Sequence, residues 1–245
     1  EAMEQELSIA RDIQRGLLPE ASPDAPGFDI AGFSRPADLT GGDFYDWQGL
    51  PDGRTAIVLA DVTGHGIGPA LVMAVCRAYA RASLPIVSTP EELLAQLNVL
   101  VHDDVRGRRF ITLALAIIDP AASRIDLLSA GHGPTLLFRA ATDSVDSFGG
   151  DGMPLGILRE EQFGSPRELA MESGDVLLLM TDGFFEAQRP GDGESFGIER
   201  IGEMLRSHPD LDAAGLIARL DAEVRAFTAG SPQIDDMTAV AIRCG

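Results

Sequence analysis

Cysteine is scarce in this 245-residue chain. Its two residues, Cys76 and Cys244, lie far apart in no zinc or redox spacing, and they are too few to staple so large a domain. A disulfide scaffold is thereby excluded, and a reduced, cytoplasmic protein is expected. Basic residues are scarce too: 19 Lys and Arg face 38 Asp and Glu, a formal charge of −19, and no Lys or Arg run forms a stripe that tracks a phosphate backbone. Nucleic acid is not an expected partner. No apolar run approaches the roughly 18 to 20 residues of a membrane span, and the N-terminus has no basic-then-apolar signal, so no membrane span is expected. Internal repeats and low-complexity tracts are absent as well. The chain opens at Glu1 without an initiator Met, already inside a helical pattern, and reads as a fragment of a longer protein.

What is present suffices for one large core. Hydrophobic residues make up 45% of the chain, enough for a single catalytic domain. Residues Met3 to Leu18 place Leu7, Ala10, Ile13 or Gln14, Leu17 and Leu18 at helical spacing, and Pro19 ends the segment. Two uses of this helix stay open: packing on its own domain, or pairing with a second copy as a signal-relaying linker. The domain division is accordingly 1–19 for the linker or dimerisation helix and 20–245 for the catalytic domain.

Beyond a Pro-rich stretch, β-rich runs are predicted at Phe28–Arg35, Phe44–Gln48, Ala56–Ala60, Ile111–Asp119, Ile125–Ser129, Thr135–Arg139, Val176–Thr181 and Ala239–Arg243. The turns between several are too brief for crossover helices, which favours antiparallel pairing. Helices are predicted after Gly68-Pro69, from Thr89 with a capping box to Glu92, over Gly197–Arg206 and over Asp212–Phe227. Paired helices between blocks of antiparallel strands imply an α+β sandwich with two sheets at its centre.

Acidic residues then stand out by position. Asp43 in TGGDFYDW, Asp61 in AIVLADVTGHG, Asp182 in VLLLMTDG and Asp235 or Asp236 in DDMTAV each end or begin an apolar run beside turn-forming residues. One such acid alone is most simply a turn residue. As a set, carboxylates from separate strands suit hard divalent ions, and two ions roughly 3.5 to 4 Å apart activate water and stabilise an in-line phosphoryl displacement. Glycines beside the acids, Gly41, Gly42, Gly64, Gly66 and Gly183, leave room for close approach.

The ordered series GGDFYD, ADVTGHG followed by a helix, AGHGPTLL, MPLG, LLMTDGFFEA with FGIERI, and DDMTAV resembles the bacterial branch of the PP2C-like (PPM) phosphatases, within it the SpoIIE/RsbU group. The resemblance covers about residues 28 to 243. It implies a four-layer αββα sandwich with two central antiparallel β-sheets, plus the N-terminal linker helix. It also implies a serine/threonine protein phosphatase dependent on two Mn²⁺ or Mg²⁺ ions, with a third ion possible in the family. Residue by residue, Asp61 bridges both ions, the Val62 carbonyl lies on the first, and Asp43 serves the first directly or through water. Asp182 and one acid of DDMTAV hold the second; the family's Asp-Asn-Met-Thr pattern matches Asp235, leaving Asp236 where Asn is usual. The implied partner is a phosphorylated STAS-domain anti-anti-sigma protein, with control by an N-terminal sensor through a linker that forms a homodimer. A pseudophosphatase scaffold and a two-metal hydrolase of other phosphoesters are the competing readings.

Other residues are weighed from chemistry alone. His65 and His132, each between glycines, are read as structural, with a proton-transfer role kept open for His65. Glu186 follows Asp182 by one turn as a supporting or solvent-facing acid. Arg35 is a weak candidate for phosphate contact. Asp46, Asp52, Asp103 and Asp104 are read as surface or turn carboxylates, and Asp151, in a Gly-rich loop, as a remote candidate for a third ion.

Overall fold

The computed structural model describes residues 2–245. The strands are β1 (Phe28–Arg35), β2 (Phe44–Gly49), β3 (Thr55–Val62), β4 (Ile111–Asp119), β5 (Arg124–Ala130), β6 (Thr135–Arg139), β7 (Ser144–Phe148), β8 (Arg167–Ala170), β9 (Val176–Met180) and β10 (Met237–Cys244). The helices are α1 (Ala2–Leu17), α2 (Ile67–Ser83), α3 (Pro90–Val105), α4 (Asp182–Phe185), α5 (Ile198–Ser207) and α6 (Ala213–Phe227).

Two five-stranded sheets form, in the orders β1-β10-β9-β6-β7 and β2-β3-β4-β5-β8, with antiparallel pairing throughout. Each sheet buries both faces, which is why its central strands read as unbroken apolar runs rather than as polar-apolar alternation. In β3 the period of two still sorts the side chains: Ile57 and Leu59 meet the other sheet, whereas Ala56, Val58, Ala60 and Val62 meet helices α2 and α3. In β10, Val240 and Ile242 join the inter-sheet core, and Ala239 and Ala241 face α5 and α6. Three apolar layers thus hold four structural layers together, the αββα sandwich expected from the motif series.

Capping behaves as its chemistry requires. Thr89 accepts a hydrogen bond from the Glu92 N–H (3.3 Å) ahead of Pro90, and Asp212 accepts from Gly215 N–H (2.7 Å) at the start of α6. Helix α2 begins at Ile67, so Gly68 and Pro69 lie within its first turn rather than before it. Strands β7 and β8 were not expected: SVDSF and RELA are short and largely polar, and both sit at sheet edges. No helix among the described residues is long and apolar enough to cross a membrane.

Candidate metal centre

Antiparallel register brings the acids together. Phe44 pairs with Ala60, so Asp43, just before β2, lies beside Asp61 near the end of β3. Met180 pairs with Ala239, so Asp182, just after β9, lies beside Asp235 and Asp236, just before β10. Strand β10 packs across the sandwich on β2 and β3, and the two pairs meet at one end of the molecule.

Burial and mutual repulsion dominate the electrostatics. Asp43 is buried, accepts from the Thr181 hydroxyl at 2.8 Å, and has its pKa raised well above the carboxylate range, first by desolvation and then by the charges of Asp61 and Asp236. Asp61 is pushed up to about 7 by burial and then by Asp182 and Asp235, with a hydrogen bond from Asp43 acting the other way. Asp182 is pushed up to about 6 by burial, then Asp235, then Glu186. The two acids of DDMTAV differ in kind. Asp236 is buried, its pKa is raised by desolvation, and its oxygens accept the N–H groups of Ala37 (2.8 Å) and Gly42 (2.7 Å). Asp235 is exposed, and its charge is felt by both Asp61 and Asp182.

The backbone around these acids is drawn in tightly. A Cβ on Gly42 would stand 2.6 Å from the Val62 carbonyl oxygen, and one on Gly183 would overlap the carbonyl of Asp236, so neither position accepts a side chain. The cradle therefore presents carboxylate and carbonyl oxygens, a donor set that fits Mg²⁺ or Mn²⁺ and lacks the nitrogen and sulfur ligands of zinc sites. Among the described residues no three Asp, Glu, His or Cys side chains stand close enough to hold a cation as they are placed. Beyond the hydrogen bond between Asp43 and Asp61, what joins the acids is field rather than contact, and a divalent cation is what would relieve it.

The family model for stage II sporulation protein E (SpoIIE) matches residues 51–245. The chain belongs to this family. It is 31% identical to phosphoserine phosphatase RsbU of Bacillus subtilis (strain 168) over 185 residues, which are 75% of this chain and 54% of that protein. The chain spans about half the length of the curated relatives it matches. Among solved structures it superposes on the SiaA-PP2C domain of Pseudomonas aeruginosa with a TM-score of 0.83 at 23% identity, covering 99% of this chain and 96% of that one. The RsbU and RsbW domains of Rv1364c from Mycobacterium tuberculosis give a TM-score of 0.74 at 28% identity, over 90% of this chain and 61% of that one. The fold of this SpoIIE-family chain is thus that of PP2C phosphatase domains.

Two residues that shape the site were not read as site residues from the sequence. Thr181 donates to Asp43 and accepts from the Thr238 N–H (3.0 Å), tying β9, β10 and the loop before β2 at one hydroxyl. Gln14 on α1 is buried, donates to the Gly41 carbonyl (2.5 Å) and accepts from the Gly41 N–H (3.1 Å). Helical spacing had left Ile13 and Gln14 as alternatives for the inward face; Gln14 takes it, and Ile13 is 63% exposed.

The remaining candidates sort by contact. His132 is buried, its Nδ1 against the Thr112 hydroxyl (2.9 Å) and its Nε2 against the Met180 carbonyl (3.0 Å), and burial lowers its pKa to about 4. It is a neutral structural histidine. His65 is exposed, 3.2 Å from Asp38. Glu186 is exposed at the end of α4, where its N–H donates to the Asp182 carbonyl. Arg35 is committed to Gln233 (2.6 Å) and Asp221 (2.5 Å), bracing the loop before β10. Asp46 corrects the surface reading: it is buried under α2, paired with Arg77 (2.9 Å) and Arg81 (2.5 Å), because the polar face of β2 is covered by that helix. Asp52, Asp103 and Asp104 are exposed and bind Arg54, Arg159 and the Tyr79 hydroxyl. Asp151 is exposed and lies 3.6 Å from Arg167, a surface ion pair.

Proposed function

We propose that this chain is a metal-dependent serine/threonine protein phosphatase whose ligands are Asp43, Asp61, the Val62 carbonyl, Asp182 and Asp235. The observation that carries this reading is the convergence of acids from four strand ends, in both sheets, on a glycine-lined cradle. Two divalent cations held there would supply a water-derived nucleophile near neutral pH and neutralise the phosphoryl oxygens. The chain's own contribution is to hold the acids close together and oriented, against the burial and mutual repulsion that raise their pKa values. Thr181 orients Asp43 through its hydroxyl, and the two backbone N–H donors spend Asp236 on bracing the 37–43 segment. That leaves Asp235, which faces Asp61 and Asp182 electrostatically, as the ligand of the DDMTAV motif. Asp61, which feels Asp43, Asp182, Asp235 and Asp236, suits the bridging role.

A pseudophosphatase is disfavoured because a binding scaffold gains nothing from keeping mutually repelling carboxylates together. Similarity to phosphoserine phosphatase RsbU supports a phosphoserine substrate, and we propose as partner a phosphorylated STAS-domain protein of the anti-anti-sigma type, in the cytoplasm. Residues 1–19 act as linker to an upstream sensor and as the dimer contact. Ile9 and Ile13, one turn apart on α1, are 60% and 63% exposed while Gln14 faces the domain. Sedimentation of the intact chain should show a dimer that Ile9→Glu with Ile13→Glu dissociates; a monomer at high concentration overturns this part.

The activity is tested by hydrolysis of para-nitrophenyl phosphate and of a phosphoserine STAS protein with Mn²⁺, Mg²⁺ or EDTA. Turnover that needs the metal and falls at least about 10²-fold in Asp61→Asn and in Asp182→Asn is the expected result, since each removes a charge that positions the reacting groups. Full activity in EDTA would overturn the metal-dependent reading.

A further inference from the structure

A cleft of about 440 Å³ opens beside the acid cluster, with Gly183 and Asp235 belonging to both. Its size lies within the range of pockets that enclose small ligands, about 300 to 1,000 Å³. Val224 and Met237 give it apolar surface, and Arg35 and Arg225 bring positive charge. Both guanidiniums lean on one carboxylate: Asp221 accepts from Arg35 Nη1 at 2.5 Å and from Arg225 Nε at 2.9 Å. Counting Glu186 and Asp235, which also line the cleft, acids outnumber these two cations, as they do across a chain whose net charge is −19, so positive charge here is local to a guanidinium with free donors. Arg35 is used up by further bonds to Gln233 and Met237. Arg225 is not. Its side chain is 62% exposed, Asp221 fixes only its Nε, and its two terminal nitrogens have no hydrogen-bond partner among the described residues.

An arginine held at Nε presents a fork of N–H donors in a set direction, the geometry that takes a carboxylate on two parallel bonds. The acidic groups lining the cleft, Glu186 and Asp235, are those whose fields reach Asp182, so they mark its metal-centre end. We propose that this cleft receives the stretch of substrate polypeptide next to the phosphorylated residue, and that Arg225 selects substrates carrying Asp or Glu there. Resting on the phosphatase reading, this deepens it by naming a specificity-determining residue. An acidic enzyme repels acidic partners at long range, so one oriented cation beside the reaction centre discriminates among sequences more than it would on a basic surface.

The test uses the intact chain with Mn²⁺ and phosphoserine decapeptides bearing Asp, Ala or Lys at each of the three positions on either side of the phosphoserine. Turnover is normalised, for each variant, to hydrolysis of para-nitrophenyl phosphate by the same preparation. At one or more positions Asp should exceed Lys in kcat/KM by at least about fivefold, the worth of one partly exposed ion pair, with the difference in KM. Arg225→Glu should reverse that preference, and Arg225→Lys should keep part of it. Equal handling of Asp and Lys peptides by the parent, or a preference that Arg225→Glu leaves in place, overturns the proposal. Should the parent hydrolyse neither probe with any metal, the phosphatase reading fails by itself. The cleft is then judged by fluorescence anisotropy of the same labelled peptides: an Asp preference reversed in Arg225→Glu sustains it, and none overturns it.

Discussion

Single side chains at the candidate metal centre are held against their own electrostatic preference, and that gives a stability test. Asp61 has a folded pKa of about 7 and Asp182 of about 6, both above the ordinary value of 3.8. A folded pKa raised above the unfolded one means that the native state keeps protons the unfolded chain has released. The contribution of these two acids to stability is therefore greatest at low pH and is lost as pH rises through their folded pKa values of about 6 to 7. Without divalent cations, Asp61→Asn should raise the melting temperature at pH 8 by several degrees while abolishing turnover, an opposition characteristic of a functional acid. An unchanged or lowered melting temperature in EDTA would show that the acids do not repel as described. His132 has the opposite sign. Its pKa is depressed to about 4 by burial, so the unfolded chain takes up a proton first, and stability falls as pH drops from about 6.5 towards 4. A His132→Gln variant is expected to be destabilised near neutral pH through its lost bonds to Thr112 and Met180, yet to lose less than the parent on acidification to pH 5. Parallel denaturant titrations at pH 7 and 5 check this.

Elements carry the site through their ends, and α1 takes part through one amide. Gln14 pairs with both backbone groups of Gly41, and the neighbouring Gly42 N–H holds Asp236. Gln14→Ala leaves a buried N–H and C=O unpaired, which costs about 1 to 3 kcal/mol. It should lower the melting temperature and raise the Mn²⁺ concentration needed for half-maximal turnover; Gln14→Glu, which keeps only the acceptor, should fall between. Metal requirement unmoved in both variants would confine Gln14 to stability. This residue also marks where sequence reading stopped. Strands such as β3 and β9 are apolar runs with an acid at or just beyond their C-terminal end, so their type, their boundaries within a residue or two and those Asp residues were legible. Nothing local marks Gln14, which sits beside Ile13 on an amphipathic helix, or Thr181, whose partners lie 138 and 57 residues away. The burial of Asp46 was hidden for the same reason, since its partners Arg77 and Arg81 belong to a helix laid over β2. Edge strands β7 and β8 carry too few apolar residues for periodicity to register.

At the scale of the molecule, the two sheets carry separate halves of the proposed reaction centre. Asp43 and Asp61 come from one sheet, and Asp182 and Asp235 from the other, so a cation bound by both pairs clamps the sandwich at its open end. Binding to the native state alone stabilises it by about 2.7 kcal/mol at a hundredfold excess over Kd. For a domain of this size that corresponds to roughly 5 to 11 °C in melting temperature. A net charge of −19 complicates the inference, because any salt relieves general repulsion and raises stability without a site. The two effects separate by valence and by mutation. Screening depends on ionic strength, so NaCl at matched ionic strength should reproduce it and Asp61→Asn should retain it. Site binding should saturate with MnCl₂ or MgCl₂, exceed the NaCl effect by several degrees, and vanish in Asp61→Asn and Asp182→Asn alike. Because the two aspartates lie in different sheets, loss of the shift in both variants ties it to a clamp across the sandwich. A shift that survives Asp182→Asn would instead leave the cation on the Asp43–Asp61 side alone, and the second sheet's acids would then need another account.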